Sequence, residues 1–142
     1  MTRTRRATVA MLLVGLAIFS SLYSTQAILP TLVHNMGLSS TEAAMTVSAA
    51  TGALALCVVP ASILSERFGR GRILLISAVA ATGVGLIVPL AQEGWQLIVV
   101  RGLQGALLSG APATAMAWLS EELDDKALPR AMGLYIAGTS VG

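Results

Sequence analysis

Long apolar stretches alternate with short polar breaks along the chain, and this pattern predicts its secondary structure. Four complete apolar segments span about residues 7–30, 41–65, 73–91 and 95–120, and a fifth begins near residue 131. Each complete segment has about 19 to 26 residues, enough for an α-helix to cross a bilayer core of about 30 Å. Because lipid offers the backbone no hydrogen-bond partners, such segments must be helical. The short breaks predict that consecutive helices are antiparallel neighbours.

The composition strengthens this interpretation. Hydrophobic residues make up 55% of the chain, charged residues make up only 11%, and the mean hydropathy is +0.78. A soluble domain carries about 25% charged residues, and a small one has much surface to cover with them. The sequence therefore predicts an all-α, polytopic membrane helix bundle and argues against a soluble helical bundle.

The first segment also has a competing interpretation. The stretch MTRTRR, followed by apolar residues and then STQA, resembles a signal peptide with a cleavage site after Ala27. The apolar stretch continues past that point, and three more membrane segments follow it. An uncleaved first helix is the simpler prediction.

Basic residues indicate how the chain crosses the membrane. Eight of the nine lysines and arginines lie in alternate breaks: Arg3, Arg5, Arg6, Arg67, Arg70, Arg72, Lys126 and Arg130. The intervening breaks contain neither residue type. This positive-inside pattern predicts a multi-pass protein of the bacterial cell (inner) membrane with a cytoplasmic N-terminus. The clusters are short and flank apolar segments, so nucleic acid is not an expected partner.

No residue pattern indicates catalysis, a metal site or a cofactor. His34 and Cys57 have no metal-ligating residue at a suitable spacing, and Cys57 lies in an apolar run typical of a packing residue. The sequence has no Gly-rich phosphate loop and no Ser-His-Asp arrangement. We therefore expect that the protein is not an enzyme and uses neither metal nor cofactor.

The break between the second and third segments, SILSERFGRGR at 62–72, is the densest charge cluster. It resembles the signature of the major facilitator superfamily at this position: a small residue, then x-L-x-Asp-Arg-x-Gly-Arg-Arg/Lys. The matching positions are Ser62, Leu64, Glu66, Arg67, Gly69, Arg70 and Arg72.

The match departs from the family pattern at three positions. Ser62 replaces the usual glycine, Glu66 replaces the usual aspartate, and Gly71 stands where a basic residue is usual, with Arg72 one place later. In the family this stretch bridges the two transporter halves and helps to hold one conformation. The resemblance implies the same role here, and a plain solvated charge cluster is the alternative.

The fourth segment contains RGLQGALLSGAPA, which resembles the Arg-x-x-Gln-Gly pattern of superfamily antiporters. The matching residues are Arg101, Gln104 and Gly105, which the resemblance implicates in coupling. A charge two turns inside a membrane segment costs at least about 2.5 kcal/mol unless it is hydrated or paired. We therefore expect Arg101 to face a water-filled cavity or the protein interior, with snorkelling to the outer interface as the alternative.

The first segment carries a polar stripe. Ser20, Tyr23, Gln26 and Pro30 recur at spacings of three and four, which places them along one helical face. The stretch LYSTQAILPTL resembles the first helix of the drug-efflux branch, which lines the central cavity in that family. The resemblance implies that Tyr23 and Gln26 line a cavity. Alternatively, the hydroxyl groups bond back to their own helix and Pro30 ends it.

The resemblance implies a partial N-terminal half of a major facilitator fold, because a complete member has twelve helices and residues 1–142 contain about five. It implies a membrane secondary transporter, an antiporter for proton-coupled efflux of a small molecule by alternating access. The partners expected for the full-length protein are the lipid bilayer, a small-molecule substrate and protons, and this fragment alone is expected to be inactive. A small non-transporting four-helix membrane partner or assembly protein is the alternative function.

Overall fold

The computed structural model describes residues 3–141, and it describes the side chains of all of these except Arg3, Thr4, Ser24, Thr25, Ile28, Leu32 and Val141. Its helices are α1 (Arg3–Met36), α2 (Ser40–Phe68), α3 (Arg70–Gly85), α4 (Gly94–Leu108), α5 (Gly110–Glu122) and α6 (Leu128–Val141), with a 3₁₀ turn at Val88–Leu90. No strand occurs in this described range, and the all-α prediction is confirmed. Met1, Thr2, Gly142 and the side chain of the predicted topology residue Arg3 lie outside it.

Three stretches are long and apolar enough to cross a membrane: Arg5–Tyr23, Ser40–Phe68 and Arg70–Leu90. Helices α4 and α5 are each too short to do so. They follow one another with a single residue between them, and together they extend over roughly 43 Å at 1.5 Å per residue. The predicted polytopic membrane bundle is therefore the architecture of the structure.

The first helix continues past Pro30, where the sequence pattern placed its end. A proline inside a helix removes one backbone hydrogen bond, but the flanking turns remain helical here. The helix ends instead at Gly37, whose φ of 64° lies in the left-handed region. The Leu38 amide then donates to the Val33 carbonyl at 3.2 Å. His34, which lies between the first two predicted segments, therefore belongs to the last turn of α1.

The expected polar loop between the second and third segments is a single residue. Helix α2 extends to Phe68, α3 begins at Arg70, and Gly69 between them has a φ of 94°. A residue with a Cβ atom resists this conformation, so glycine permits the sharp reversal. Glu66 and Arg67 therefore lie in the last turn of α2, and Arg70 and Arg72 lie in the first turn of α3.

Two prolines divide the later segments. Helix α3 ends before Pro89, which belongs to the 3₁₀ turn. The predicted helix over 95–120 is interrupted at Ser109, so it forms α4 and α5. Pro112 has no amide hydrogen to donate to the Leu108 carbonyl, and this missing bond contributes to the interruption.

The two most extensive helix contacts are α2 with α4 and α1 with α6. In the first, a Cβ atom on Gly105 would overlap the Ala50 carbonyl group, so the two backbones touch. In the second, a Cβ on Gly138 would lie 2.8 Å from the Leu12 carbonyl oxygen. Small residues permit this close approach, which is a principal source of helix attraction in lipid.

The described basic side chains outside α4 lie at one end of the bundle. Arg70 forms an ion pair with Glu121 at 3.3 Å, which joins the α2–α3 reversal to the end of α5. Arg5 lines a common groove with Lys126 and Arg130, which joins the start of α1 to the start of α6. Three breaks that are far apart in sequence therefore form one basic end.

The other end of the bundle contains the turn between α1 and α2. Ser39 and Glu42 form a capping box, with the Ser39 amide donating to the carboxylate at 2.9 Å and the Glu42 amide donating to the hydroxyl at 3.2 Å. Gly94, the first residue of α4, packs beside Leu38. Helices α2 and α4 therefore start at the same end and run parallel.

Candidate functional site

A buried arginine joins α4 to the backbone of α1. Arg101 is only 1% exposed. One terminal guanidinium nitrogen donates to the Gln104 side-chain oxygen at 2.6 Å and to the Ser21 carbonyl at 3.4 Å, and the other donates to the Leu22 carbonyl. The charge lies in the protein interior, so Arg101 does not snorkel to an interface in this structure.

Gln104 extends the same network to a third helix. Its amide nitrogen donates to the Ser21 hydroxyl at 2.9 Å. On α3, a Cβ atom at Gly85 would lie 2.8 Å from that amide nitrogen. The glycine therefore provides the space that the glutamine side chain occupies, and the site is formed by α1, α3 and α4.

The network leaves the positive charge without a counter-ion. Within the described side chains, Arg101 forms no ion pair, and its Nε atom is buried without a hydrogen-bond partner. Carbonyl and amide dipoles stabilise a buried charge in part, but an unpaired charge in a low-dielectric interior remains costly. The arrangement is chemically suited to attract a carboxylate or another anionic group.

The predicted cavity residues of α1 do not join this network. Tyr23 is 40% exposed and packs at 6.0 Å, between ring centroids, against Phe19. Ser20, Gln26 and Pro30 are exposed as well, so the predicted stripe is an outer face of the described bundle. None of the described hydrogen bonds connects Tyr23 or Gln26 to Arg101.

Gly105 is separate from the polar network too. Its side of α4 lies against the α2 backbone at Ala50, so its observed role is close helix packing. The Arg-x-x-Gln-Gly pattern therefore divides into a polar pair that contacts α1 and a glycine that contacts α2. Arg101 and Gly105 are one helical turn apart, so the close contact with α2 lies next to the arginine on α4.

The charged motif is arranged around the α2–α3 reversal. Arg70 pairs with Glu121, whereas Glu66, Arg67 and Arg72 are exposed and form no ion pair within the described part of the chain. Ser62 accepts a hydrogen bond at its carbonyl from the Ser65 hydroxyl at 2.7 Å. Leu64 is exposed on the outside of the bundle.

The sequence analysis did not predict three residues that take part in these contacts. Glu121 had a usable signal, because it is an acid placed at the end of the fourth segment on the side that carries the arginines. Ser21 had none, since it adjoins Ser20 and only the packed structure shows which hydroxyl faces α4. Gly85 had none either, because a glycine in an apolar segment is equally typical of ordinary helix packing.

Comparison with known proteins assigns this bundle to a family. Residues 11–142 match the model of the Major Facilitator Superfamily. The chain belongs to the major facilitator superfamily. No solved structure matches it at a significant level.

Several curated superfamily relatives are similar to this chain. It is 35% identical to the uncharacterized MFS-type transporter YybF of Bacillus subtilis over 97% of this chain and 34% of the relative. It is 34% identical to the inner membrane transport protein YnfM of Escherichia coli over 96% of this chain and 33% of the relative. A Cupriavidus pinatubonensis protein named "Probable 4-methylmuconolactone transporter" is 32% identical over 81% of this chain and 27% of the relative. The chain spans about a third of the length of the curated relatives it matches.

The packing agrees with the internal symmetry of the superfamily. Each transporter half is built from two inverted three-helix repeats. Here α1, α2 and α3 form the first repeat, and the second begins with the broken segment α4–α5 followed by α6. In this symmetry α1 corresponds to the α4–α5 segment and α2 corresponds to α6. The α2–α4 contact is therefore the counterpart of the α6–α1 contact, and these are the two most extensive helix contacts observed.

Proposed function

We propose that this chain is the N-terminal part of a bacterial inner-membrane secondary transporter that exports a small molecule in exchange for protons. Superfamily membership and the transporter names of the relatives support the general class. The observation that carries the coupling proposal is the buried, unpaired guanidinium of Arg101 beside Gln104. The substrate of the Cupriavidus relative indicates that the superfamily branch includes carriers of small organic compounds.

Arg101 acts as a fixed positive charge in this proposal. A guanidinium stays protonated at physiological pH, so it cannot carry the transported proton. A carboxylate drawn to it is stabilised in its charged form and released when it is protonated. In the described spanning helices the acids lie at helix ends, Glu42 and Glu66 being the examples on α2, so the coupling acid belongs to a part of the transporter beyond these helices.

Alternating access uses the two contacts that Arg101 makes with α1. Its nitrogens donate to the Ser21 and Leu22 carbonyls, directly before the exposed Tyr23 and about one turn before the exposed Gln26. When a carboxylate binds the guanidinium, the bonds to these carbonyls are lost, and they form again when the protonated acid leaves. Each change shifts the position of α1 and therefore the position of Tyr23 and Gln26. These two residues are proposed to line the substrate cavity.

The charged motif at 62–72 is proposed to hold one conformation of the carrier. The Arg70–Glu121 pair joins the two three-helix repeats at the basic end. Glu66, Arg67 and Arg72 are exposed there and are available to contact the other transporter half. Gly69 sets the sharp reversal that presents them.

The experiment requires a complete carrier, because the chain spans a third of its relatives. A chimera supplies one: residues 1–142 replace the matching third of the E. coli relative, and everted membrane vesicles report proton movement through an acridine dye. A panel of small organic compounds is then screened for substrate-induced proton release. We expect exchange by the chimera and none by residues 1–142 alone, which lack a second transporter half.

Substitutions in the chimera test the role of Arg101. Arg101→Ala should abolish proton-coupled exchange, and Arg101→Lys should lower it roughly tenfold or more, because lysine keeps the charge but loses the planar fork. Arg6→Ala removes an exposed cation and serves as the matched control. Wild-type exchange by Arg101→Ala at equal protein levels would reduce Arg101 to a packing residue. Transport by residues 1–142 alone would overturn the proposed mechanism.

A further inference from the structure

Helix α5 lies antiparallel along the first half of α3. Near the start of α5, a Cβ atom on Gly110 would overlap the Ser77 hydroxyl on α3. Near the end of α5, Glu121 pairs with Arg70, the first residue of α3, at 3.3 Å. The sharp reversal that carries the charged motif is therefore packed against the helix that follows the Arg101 segment.

Trp118 makes a second contact with the first turn of α3. A Cβ atom on Gly71 would lie 3.0 Å from the indole Nε1 atom and 3.5 Å from the Cδ1 atom. The ring is half-buried and packs against the hydrophobic core of the bundle, so it has little room to withdraw. The indole therefore occupies the space that a side chain at position 71 would enter.

The two contacts act on neighbouring residues of α3 from one face of α5. Trp118 and Glu121 are three residues apart, a spacing that places them side by side on a helix. The indole lies against Gly71, and the carboxylate binds the adjacent Arg70. Position 71 is also where the motif has a glycine in place of the usual basic residue, so this departure from the family pattern coincides with the position of the indole.

We propose that Trp118 is a positioning residue for the motif at 62–72. Seated against Gly71, its indole fixes the first turn of α3 on α5 and so holds Arg70 within reach of the Glu121 carboxylate. A partly exposed ion pair alone fixes a turn weakly, whereas an aromatic ring packed against the core supplies a large contact area. The effect of Trp118 on transport rests on the conformational role proposed above for the motif, whereas its effect on the reversal does not.

Amide hydrogen exchange measures how firmly the first turn of α3 is held. The Ile73 amide donates to the Gly69 carbonyl at 3.1 Å and closes this turn, so exchange over residues 73–76 reports its opening. Trp118→Ala should speed this exchange by up to about fivefold, the ratio that corresponds to 1 kcal/mol. The measurement uses residues 1–142 in detergent and mass spectrometry, with circular dichroism to verify helical content.

A second substitution distinguishes positioning from simple packing. Glu121→Gln should speed exchange in the otherwise unchanged chain but add nothing to Trp118→Ala, because Arg70 is then no longer held beside position 121. Trp95→Ala is the matched control, since it removes the exposed tryptophan at the opposite end of the bundle. It should leave exchange over the first turn of α3 unchanged, and Glu121→Gln should keep its full effect in that background.

A side chain at position 71 tests the contact from the α3 side. Gly71→Val brings a branched side chain against the indole, so it should speed exchange in the presence of Trp118 and much less in the Trp118→Ala background. Gly83→Val makes the same chemical change on α3 at a position where a Cβ atom meets nothing within 4 Å. Its effect should be the same in both backgrounds.

The chimera tests the consequence for transport. Trp118→Ala should lower proton-coupled exchange to the level of Glu121→Gln at equal protein levels, and Trp118→Phe, which keeps an aromatic ring, should restore most of it. Wild-type transport by Trp118→Ala would reduce Trp118 to a packing residue. Additive effects of Trp118→Ala and Glu121→Gln on amide exchange would also overturn the proposal, as would an equal effect of Gly71→Val with and without the indole. A chimera that moves no protons would contradict the proposed function instead, and amide exchange in residues 1–142 would still decide whether Trp118 positions the motif.

Discussion

At the scale of single residues, Arg101 is held by backbone carbonyls and a glutamine amide instead of a carboxylate. This arrangement keeps a full positive charge inside the bundle while leaving its Nε atom without a partner. A structural salt bridge would have neutralised that charge permanently. The proposed coupling role requires that no such bridge neutralise Arg101, and none is formed within the described residues.

A glycine substitution tests the α2–α4 contact at the same scale. Gly105→Ala places a methyl group into the Ala50 backbone, and overpacking of this kind costs about 1–3 kcal/mol. Gly52→Ala is the matched control, because a Cβ at that exposed position of α2 meets nothing within 4 Å. We expect Gly105→Ala to lower the unfolding midpoint and Gly52→Ala to leave it unchanged or raise it, since alanine favours the helix. Denaturant titrations in detergent micelles, followed by circular dichroism, measure both; equal midpoints would refute the close contact.

At the scale of elements, proline has two different outcomes in this chain. Pro60 lies within α2 and the helix continues, whereas Pro112 accompanies the break between α4 and α5. Near the break, the Ser109 hydroxyl donates to the Ala106 carbonyl, and Gly110 packs so closely on α3 that a Cβ would overlap Ser77. The missing amide and the close packing therefore act at the same point.

Replacement of the prolines separates these contributions. Pro112→Ala restores an amide that can donate to the Leu108 carbonyl, so amide hydrogen exchange over residues 109–113 should slow about fivefold, equivalent to one hydrogen bond at about 1 kcal/mol. Pro60→Ala makes the same chemical change in an uninterrupted helix and should leave exchange over 109–113 unchanged. Hydrogen-exchange mass spectrometry reports both regions. Unchanged exchange in Pro112→Ala would show that packing against Ser77 alone sets the break.

At the scale of the whole molecule, two parallel helix pairs organise the bundle. The α2–α4 and α1–α6 pairs are related by exchange of the inverted repeats, and the Arg70–Glu121 ion pair joins the repeats at the basic end. Because the pair is partly exposed, its direct contribution to stability is small, about 0.2–1 kcal/mol. This small contribution is compatible with the proposed role of the motif in holding one conformation.

The membrane orientation gives a prediction at this scale. The distribution of lysines and arginines predicts that the basic end is cytoplasmic and that the opposite α1–α2 turn faces outward. In a Cys57→Ala background, a membrane-impermeant maleimide applied to intact cells should label Met36→Cys but not Asp125→Cys. Neither substitution changes the number of lysines and arginines. Labelling of Asp125→Cys alone would reverse the orientation.

The sequence by itself determined the helical class, the membrane setting and the family. These follow from segment length, the scarcity of charge and the motif at 62–72, all of which are local properties that the bilayer enforces on any such chain. It also showed that Arg101 required special surroundings, because the cost of a buried charge does not depend on the fold. The position of Gly69 in a sharp reversal was likewise predictable, since few other residues adopt its backbone conformation.

Only the tertiary structure decided which groups meet. The partners of Arg101 are carbonyls of Ser21 and Leu22, and every residue has a carbonyl, so no sequence pattern could single them out. The rotation of α1 about its own axis turned Tyr23 away from the arginine, and that rotation is set by packing between helices distant in sequence. The exact helix ends also depended on tertiary contacts and on turn geometry at Gly37 and Ser109, because hydropathy alone does not distinguish the last buried turn from the first exposed one.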